Sequence, residues 1–298
     1  MWLKTVTIQN FRNIENLLIS FDRRANVIVG PNAIGKTTLL EAIRLTKAAL
    51  APRTVNETQQ AFMGLGALSP HNPLNLNYGA LARNLAQPVV IDAEFELVAK
   101  EVEALDNLVP NLATGLVRAG LGPQALAQGP LALVQYLSSE EGKSQLAAVQ
   151  GQVVTGLAPI KASSRIALKL RIDPATGTIN GANQLDQLVF ATFEGGLPAS
   201  QALFSYFPAD RAVPSGEVVI QIGGPDTAVQ LEAHNSQPQA KYARLKPTIV
   251  NNFLLSEETR VKLQANFSKI RTGLHLTMVS DFSVICIRRT ASESVPLS

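Results

Sequence analysis

Cysteine is nearly absent from this chain of 298 residues, where Cys286 stands alone. An intramolecular disulfide and any metal site built on several thiolates are therefore excluded, and a reducing cytoplasm is the compartment that fits. Aromatic residues are scarce at 5%, so a core must be built of Leu, Ile, Val and Ala. Charge of one sign is scarce too. The formal net charge is only +3, and no dense Lys/Arg stripe stands out, so charge by itself predicts no nucleic-acid surface. Met1 to Phe11 contains no apolar leader segment, which argues against a signal peptide. No run of about 18 apolar residues occurs, so no membrane-spanning helix is expected. His71, His234 and His275 are isolated, without metal-ligand spacing, and read as surface residues. No Ser-His-Asp or Cys-His arrangement shares a local motif.

What is present is a hydrophobic fraction of 46%, ample for a packed core. Leu3 to Ile8 alternates as a half-buried strand does, Asn10 to Asn13 reads as a turn, and Leu17 to Phe21 as a second strand. Asn26 to Val29 is a short apolar run that fits a strand buried on both faces. Thr38 to Leu50 has helical spacing, with Leu39, Leu40, Ala42 and Ile43 inward and Pro52 beyond its end. Residues 53–87 look irregular. Val89 to Val98 alternates again, and its Asp92, Glu94 and Glu96 read as solvent-facing carboxylates. Residues 100–163, rich in Ala, Leu, Gln and Gly, read as an inserted helical segment broken near Gly122-Pro123 and Gly129-Pro130, with a disordered linker as the rival reading for parts of it. Arg165 to Ile172, the turn residues Asp173 to Gly177 and Thr178-Ile179 make a hairpin. Leu188 to Phe193 reads as a strand, Thr248 to Ile270 as helical, Leu274 to Ile287 as apolar and Arg288 to Ser298 as a polar tail.

One motif carries chemistry. Gly30-Pro31-Asn32-Ala33-Ile34-Gly35-Lys36-Thr37 matches G-x-x-x-x-G-K-[ST], after an apolar run and before a helical pattern. Gly30 and Gly35 permit the tight turns that aim backbone N–H groups inward. Those donors would meet a polyphosphate at the start of a helix, where the dipole also favours an anion. Lys36 places an ammonium between the β- and γ-phosphates. The Thr37 hydroxyl is a hard oxygen ligand for Mg²⁺, and Thr38 is placed to donate to the α-phosphate. A nucleoside triphosphate, ATP with Mg²⁺, is the expected ligand.

The surrounding residues narrow this further. Val6-Thr7-Ile8-Gln9-Asn10-Phe11-Arg12-Asn13-Ile14 followed by Asn26 to Ile43 resembles the start of the RecF/SMC/OLD-type ATPases, the ABC-like AAA proteins of DNA repair and phage defence. Their opening pattern is an I-x-N-F-R strand and then G-x-N-G-x-G-K-[ST]-[ST]-h-h-E-A-I. Asn32 falls on the family's Asn, and Ala33 replaces its usual Gly. The resemblance implies that Arg12 lies near the nucleotide phosphates. Tyr206-Phe207-Pro208-Ala209-Asp210-Arg211 looks like the h-h-P-A-[DE]-R segment of OLD-like proteins, with a plain helix-to-loop junction as the other reading.

The family also implies a glycine-paired signature segment and a late strand ending in Asp-Glu, and neither is found. Val89 to Glu94 has the wrong spacing and comes too early. Leu276 to Asp281 ends in Asp, but Phe282 follows it. Ser215-Gly216-Glu217 and Ser256-Glu257-Glu258 lack the glycine pair. The chain thus looks like the front part of such an ATPase, whether by premature termination, an engineered boundary or a split protein completed by a partner. The expected fold is an α/β P-loop NTPase with an ABC-ATPase-like head: a mixed sheet carrying the phosphate loop, an antiparallel lobe and a helical insertion. The expected division is residues 1–99 for the first part of the head, 100–164 for the insertion and 165–298 for its continuation. The expected function is an ATP-binding head in DNA metabolism or antiviral defence, poor at hydrolysis alone, working as a homodimer or with a partner ATPase or effector. The resemblance leaves DNA open as a partner of the full complex, and no membrane partner is expected. A nucleotide-dependent regulatory or scaffold subunit is the alternative. A small-molecule kinase is a third reading, poorly served by the N-F-R strand and the long insertion.

Overall fold

A computed structural model describes residues 1–31, 34–54, 56–71, 75–121, 130–198 and 201–206, then 227–236, 261, 265, 275–278, 285–290 and 293–296. The chain divides into two units, Met1–Phe204 and Ser205–Ser298.

In the first unit the chain opens with β1 (Trp2–Phe11) and β2 (Ile14–Ser20), followed by α1 (Lys36–Leu50) and α2 (Glu57–Gly64). Next come β3 (Val89–Glu96), α3 (Ala99–Gly120), α4 (Pro130–Ser138) and α5 (Glu140–Ser163). It closes with β4 (Arg165–Ile172), β5 (Ile179–Ala182) and α6 (Gln184–Gly196). The strands form a five-stranded sheet in the order β2-β1-β3-β4-β5, antiparallel throughout.

The register explains the alternation read from the sequence. Ile8 faces Ile91, which faces Leu170 on its other side, and Val6, Ala93 and Leu168 form the next row. All six are buried. Each such Ile, Leu or Val contributes about 1.5–3 kcal/mol by leaving water. The opposite face is polar. Thr5 Oγ1 and Arg165 Nη1 each donate to Glu94 at 3.0 Å, and Lys169 pairs with Asp92 at 3.3 Å. The carboxylates of β3 are thus cross-strand partners on an open face. That face holds a shallow cavity of about 460 Å³ lined by Thr7, Asp92, Lys169 and Asp186 among others. Burial raises the Asp186 carboxyl above its ordinary range, although its oxygen accepts the Ala167 N–H at 2.8 Å.

α1 covers the apolar face through Leu39, Ala42, Ile43, Leu45 and Ala48, all buried. Leu40, expected inward, is 43% exposed, because it lies about 100° round the helix from Leu39. α3 packs along α5 and α6, burying Leu105, Leu112, Val153, Leu157 and Phe190. Phe190 and Phe95 pack in a tilted arrangement, with centroids 4.9 Å apart and ring planes at 59°.

Several expectations are corrected. Leu188 to Phe193 is not a strand but the middle of α6. A short continuous apolar run fits either state, and here burial of Val189 and Phe190 against the sheet and α3 selects the helix. Residues 53–87 are less irregular than expected, since α2 lies among them. It is two turns long and held by tertiary bonds, Thr58 Oγ1 to Ala48 O at 2.6 Å among them. Asn26 to Val29 forms no strand: Val27, Ile28 and Val29 are 84%, 38% and 83% exposed. No described strand runs beside it, so its backbone has no ladder to join. The phosphate-loop segment therefore stands apart from the described sheet.

In the second unit, α7 (Thr227–Ser236) is followed by β6 (His275–Met278), β7 (Ile285–Thr290) and β8 (Glu293–Pro296) in an antiparallel three-stranded sheet ordered β6-β7-β8. The tail read as polar therefore includes the end of β7 and all of β8. The helical expectation over 248–270 lies outside the described residues, apart from Val261 and Ala265.

Candidate functional site

The site is assembled by a turn and a helix start. β1 ends in a tight turn with Asn10 at φ 55° and Arg12 at φ 52°, a region that costs most side chains about 1 kcal/mol or more but suits Asn. Asn10 is 5% exposed and fully used. Its Nδ2 donates to Asn84 O at 2.9 Å and Gln87 O at 2.7 Å, and its Oδ1 accepts the Asn84 N–H at 2.6 Å. Phe11 is buried in the core. The Arg12 N–H donates to Leu81 O at 2.7 Å, and Arg83 Nη1 donates to Asn13 O at 3.0 Å. Thus the Asn-Phe-Arg-Asn run is a pinned corner, each residue having a separate task.

This corner lies against the start of α1. Gly35 is the N-cap, at φ 105° and ψ 12°. Its conformation calls for glycine, and a Cβ added there would also crowd Asn13 Nδ2 at 3.1 Å. At Gly30 a Cβ would meet Ile34 Cγ2 at 3.2 Å. Lys36 turns back over the loop, its Nζ donating to Gly30 O and Pro31 O at 2.7 Å each. α1 begins with no side-chain cap and no acidic residue in its first turn, leaving its opening amides free of a competing carboxylate. Thr37 is exposed and Thr38 half-buried. Arg12 Nη1 pairs with Glu41 Oε2, four residues along α1 from Thr37.

The structure therefore brings together Arg12, Gly30, Pro31, Gly35, Lys36, Thr37 and Thr38. Ile34 is 62% exposed beside them. Asn32 and Ala33 lie outside the described residues, as do Phe207, Pro208, Ala209, Asp210 and Arg211 of the later segment. Arg12 stands on Glu41, a pairing that spacing alone does not show. Asn10 and Glu41 fall on the opening pattern and Asn13 directly follows its first part, but their tasks become visible only when the corner meets α1.

An ammonium, a glycine-capped helix start and a guanidinium one turn along it suit a polyphosphate. The hydroxyl of Thr37 adds a hard oxygen for a divalent cation. The residues present fit the nucleotide and Mg²⁺ that the motif implies.

A second charged cluster lies at the far end of α1. Lys47 Nζ sits 2.7 Å from Glu57 Oε1 and 2.8 Å from Glu57 Oε2, and 3.5 Å from Glu194 Oε1. Arg53 donates to the carbonyls of Glu194 and Leu197. This knot ties α1 to α2, α6 and the strap that follows α6.

Residues 1–116 match the family model described as an AAA ATPase domain. The DNA replication and repair protein RecF of Bacillus cytotoxicus is 42% identical over 59 residues, covering 20% of this chain and 16% of that protein. Its counterpart in Listeria welshimeri is 46% identical over 57 residues, covering 19% and 15%. The match spans about a sixth of these curated relatives' length. No described helix is long and apolar enough to cross a membrane. The N-terminal part of this chain is thus similar to an AAA ATPase domain over residues 1–116 and, over a shorter stretch, to RecF proteins.

Proposed function

We propose that the loop from Gly30 to Thr38, with Arg12, binds ATP and Mg²⁺, and that the chain serves as a nucleotide-binding head in DNA metabolism or antiphage defence in the cytoplasm. The observation that carries this reading is the start of α1: a left-handed Gly35, an uncapped first turn and the Lys36 ammonium folded onto the loop's own carbonyls. Lys36 leaves those two carbonyls for the β- and γ-phosphates, the first-turn amides take phosphate oxygens, and Thr37 ligates the cation. The similarity to DNA replication and repair proteins RecF supports the biological setting. Hydrolysis is weak in the isolated chain, because Asp92 and Glu94 are engaged with Lys169, Arg165 and Thr5 on the far face of the sheet and neither positions water at the loop.

A second reading, a regulatory subunit that uses nucleotide to assemble with another copy, a partner ATPase or an effector, is favoured by the exposed Val27, Val29 and Ile34 beside the loop. Isothermal calorimetry with Mg-ATP tests the first reading. A saturable heat lost on Lys36→Ala is expected, and no heat with the unaltered chain would refute nucleotide binding. Turnover that Lys36→Ala abolishes would refute the weak-hydrolysis half.

A further inference from the structure

Glu41 lies on α1 four residues after Thr37, and positions four apart share a helix face, about 6 Å from one to the next. Its carboxylate therefore belongs to the helix face that carries Thr37, one turn further along α1. An unneutralised carboxylate there repels a triphosphate. It is not unneutralised, because Arg12 Nη1 sits on Glu41 Oε2. Arg12 reaches it from a backbone at φ 52° whose N–H is fixed on Leu81 O, with Asn13 beside Gly35 on the next residue. The guanidinium is held on α1, one turn along from Thr37, by two constraints, a pinned corner behind it and Glu41 in front.

We infer that Glu41 is a positioning residue for phosphate binding: it holds the Arg12 guanidinium on the Thr37 face of α1, from which the free N–H groups of that guanidinium meet the polyphosphate. This rests on the phosphate-loop reading above and adds a residue to it. Arg12 offers five N–H donors in a fixed fork, so one edge stays on Glu41 while another turns to the ligand. Side-chain exposures of 37% for Arg12 and 20% for Glu41 place the pair at the surface. Such a pair adds little to stability, so variants at either position fold.

The roles give opposite signs in two backgrounds. With Arg12 present, Glu41→Gln releases the guanidinium into its many rotamers and weakens Mg-ATP binding. With Arg12 replaced, the same change only removes a repelling carboxylate and strengthens binding. The experiment is a double-mutant cycle on the full chain, with Mg-ATP affinity measured by calorimetry for the unaltered chain, Arg12→Ala, Glu41→Gln and the double variant. The expected result is roughly threefold to tenfold weaker binding for Glu41→Gln alone, with equal or tighter binding when it is added to Arg12→Ala. An equal factor in both backgrounds, or tighter binding of Glu41→Gln alone, overturns the assignment while leaving the phosphate-loop reading intact. No binding by the unaltered chain overturns both.

Discussion

Replacing Lys47 by Met is the sharpest test of how α1 is held. The ammonium lies 2.7 Å and 2.8 Å from the two oxygens of Glu57 and 3.5 Å from Glu194 Oε1. The side chains are 3% exposed for Lys47, 7% for Glu57 and 1% for Glu194. Glu57 also accepts the Arg53 N–H at 2.6 Å, and Glu194 accepts the Leu203 N–H at 2.7 Å. Glu194 Oε1 makes no hydrogen bond at all among the described residues, so its charge is balanced by Lys47 through space. Removing the lysine strands two buried carboxylates. Breaking a buried pair in this way costs about 3–5 kcal/mol, a large part of the roughly 5–15 kcal/mol that holds a typical domain. Urea unfolding of the full chain, followed by circular dichroism at neutral pH, reads the loss as a lower midpoint with an unchanged slope. Adding Glu57→Gln and Glu194→Gln to Lys47→Met should recover much of it, since neutral amides tolerate burial better than unpaired charges. A loss below about 1 kcal/mol for Lys47→Met, in the range of a surface pair, would refute the view that this cluster fixes the helix.

Two further outcomes follow from the same reasoning. Asn10→Ala removes three good hydrogen bonds at a buried position and leaves alanine at positive φ, so a loss of about 2–4 kcal/mol is expected in the same urea assay. The folded Asp186 carboxyl titrates above its unfolded value, so the folded state binds that proton more tightly. Its contribution is fully present below the unfolded value and is lost as pH rises through the folded one. Asp186→Asn should therefore flatten this part of the pH profile, and the stability difference between unaltered chain and variant should favour the unaltered chain more at pH near 4 than near 7.

Legibility in the sequence followed the physics of each element. Period-two alternation exposed β1, β3 and β4, because one face of their sheet is buried and the other carries paired charges. The hairpin at Asp173 to Gly177 was legible through its turn chemistry, and Gly177 does take φ 65°. The start of α1 at Lys36 was legible because the glycine before it marks a turn, and Gly35 does take φ 105°. Val27 to Val29 misled because its apolar side chains imply a neighbouring strand that the described residues do not supply. Leu188 to Phe193 misled because an unbroken apolar run carries no period. α2, Glu41 and the Lys47 knot were invisible for another reason. Each depends on partners distant in the chain, such as Glu194 for Lys47 or Arg12 for Glu41.

The strand order has a kinetic consequence. β1 meets β2 across a two-residue corner, so that hairpin closes within microseconds of its synthesis. Its other neighbour, β3, begins only at Val89, and β3 waits in turn for β4 at Arg165. Long closures of this kind slow folding, because chain entropy is spent before the pairing is gained. α3 and α5 occupy the interval between β3 and β4 and pack on one another. Helices form from local contacts, so their early docking shortens the effective loop and delivers β4 to β3. The helical segment between these strands thereby acts as a folding clamp for the five-stranded sheet.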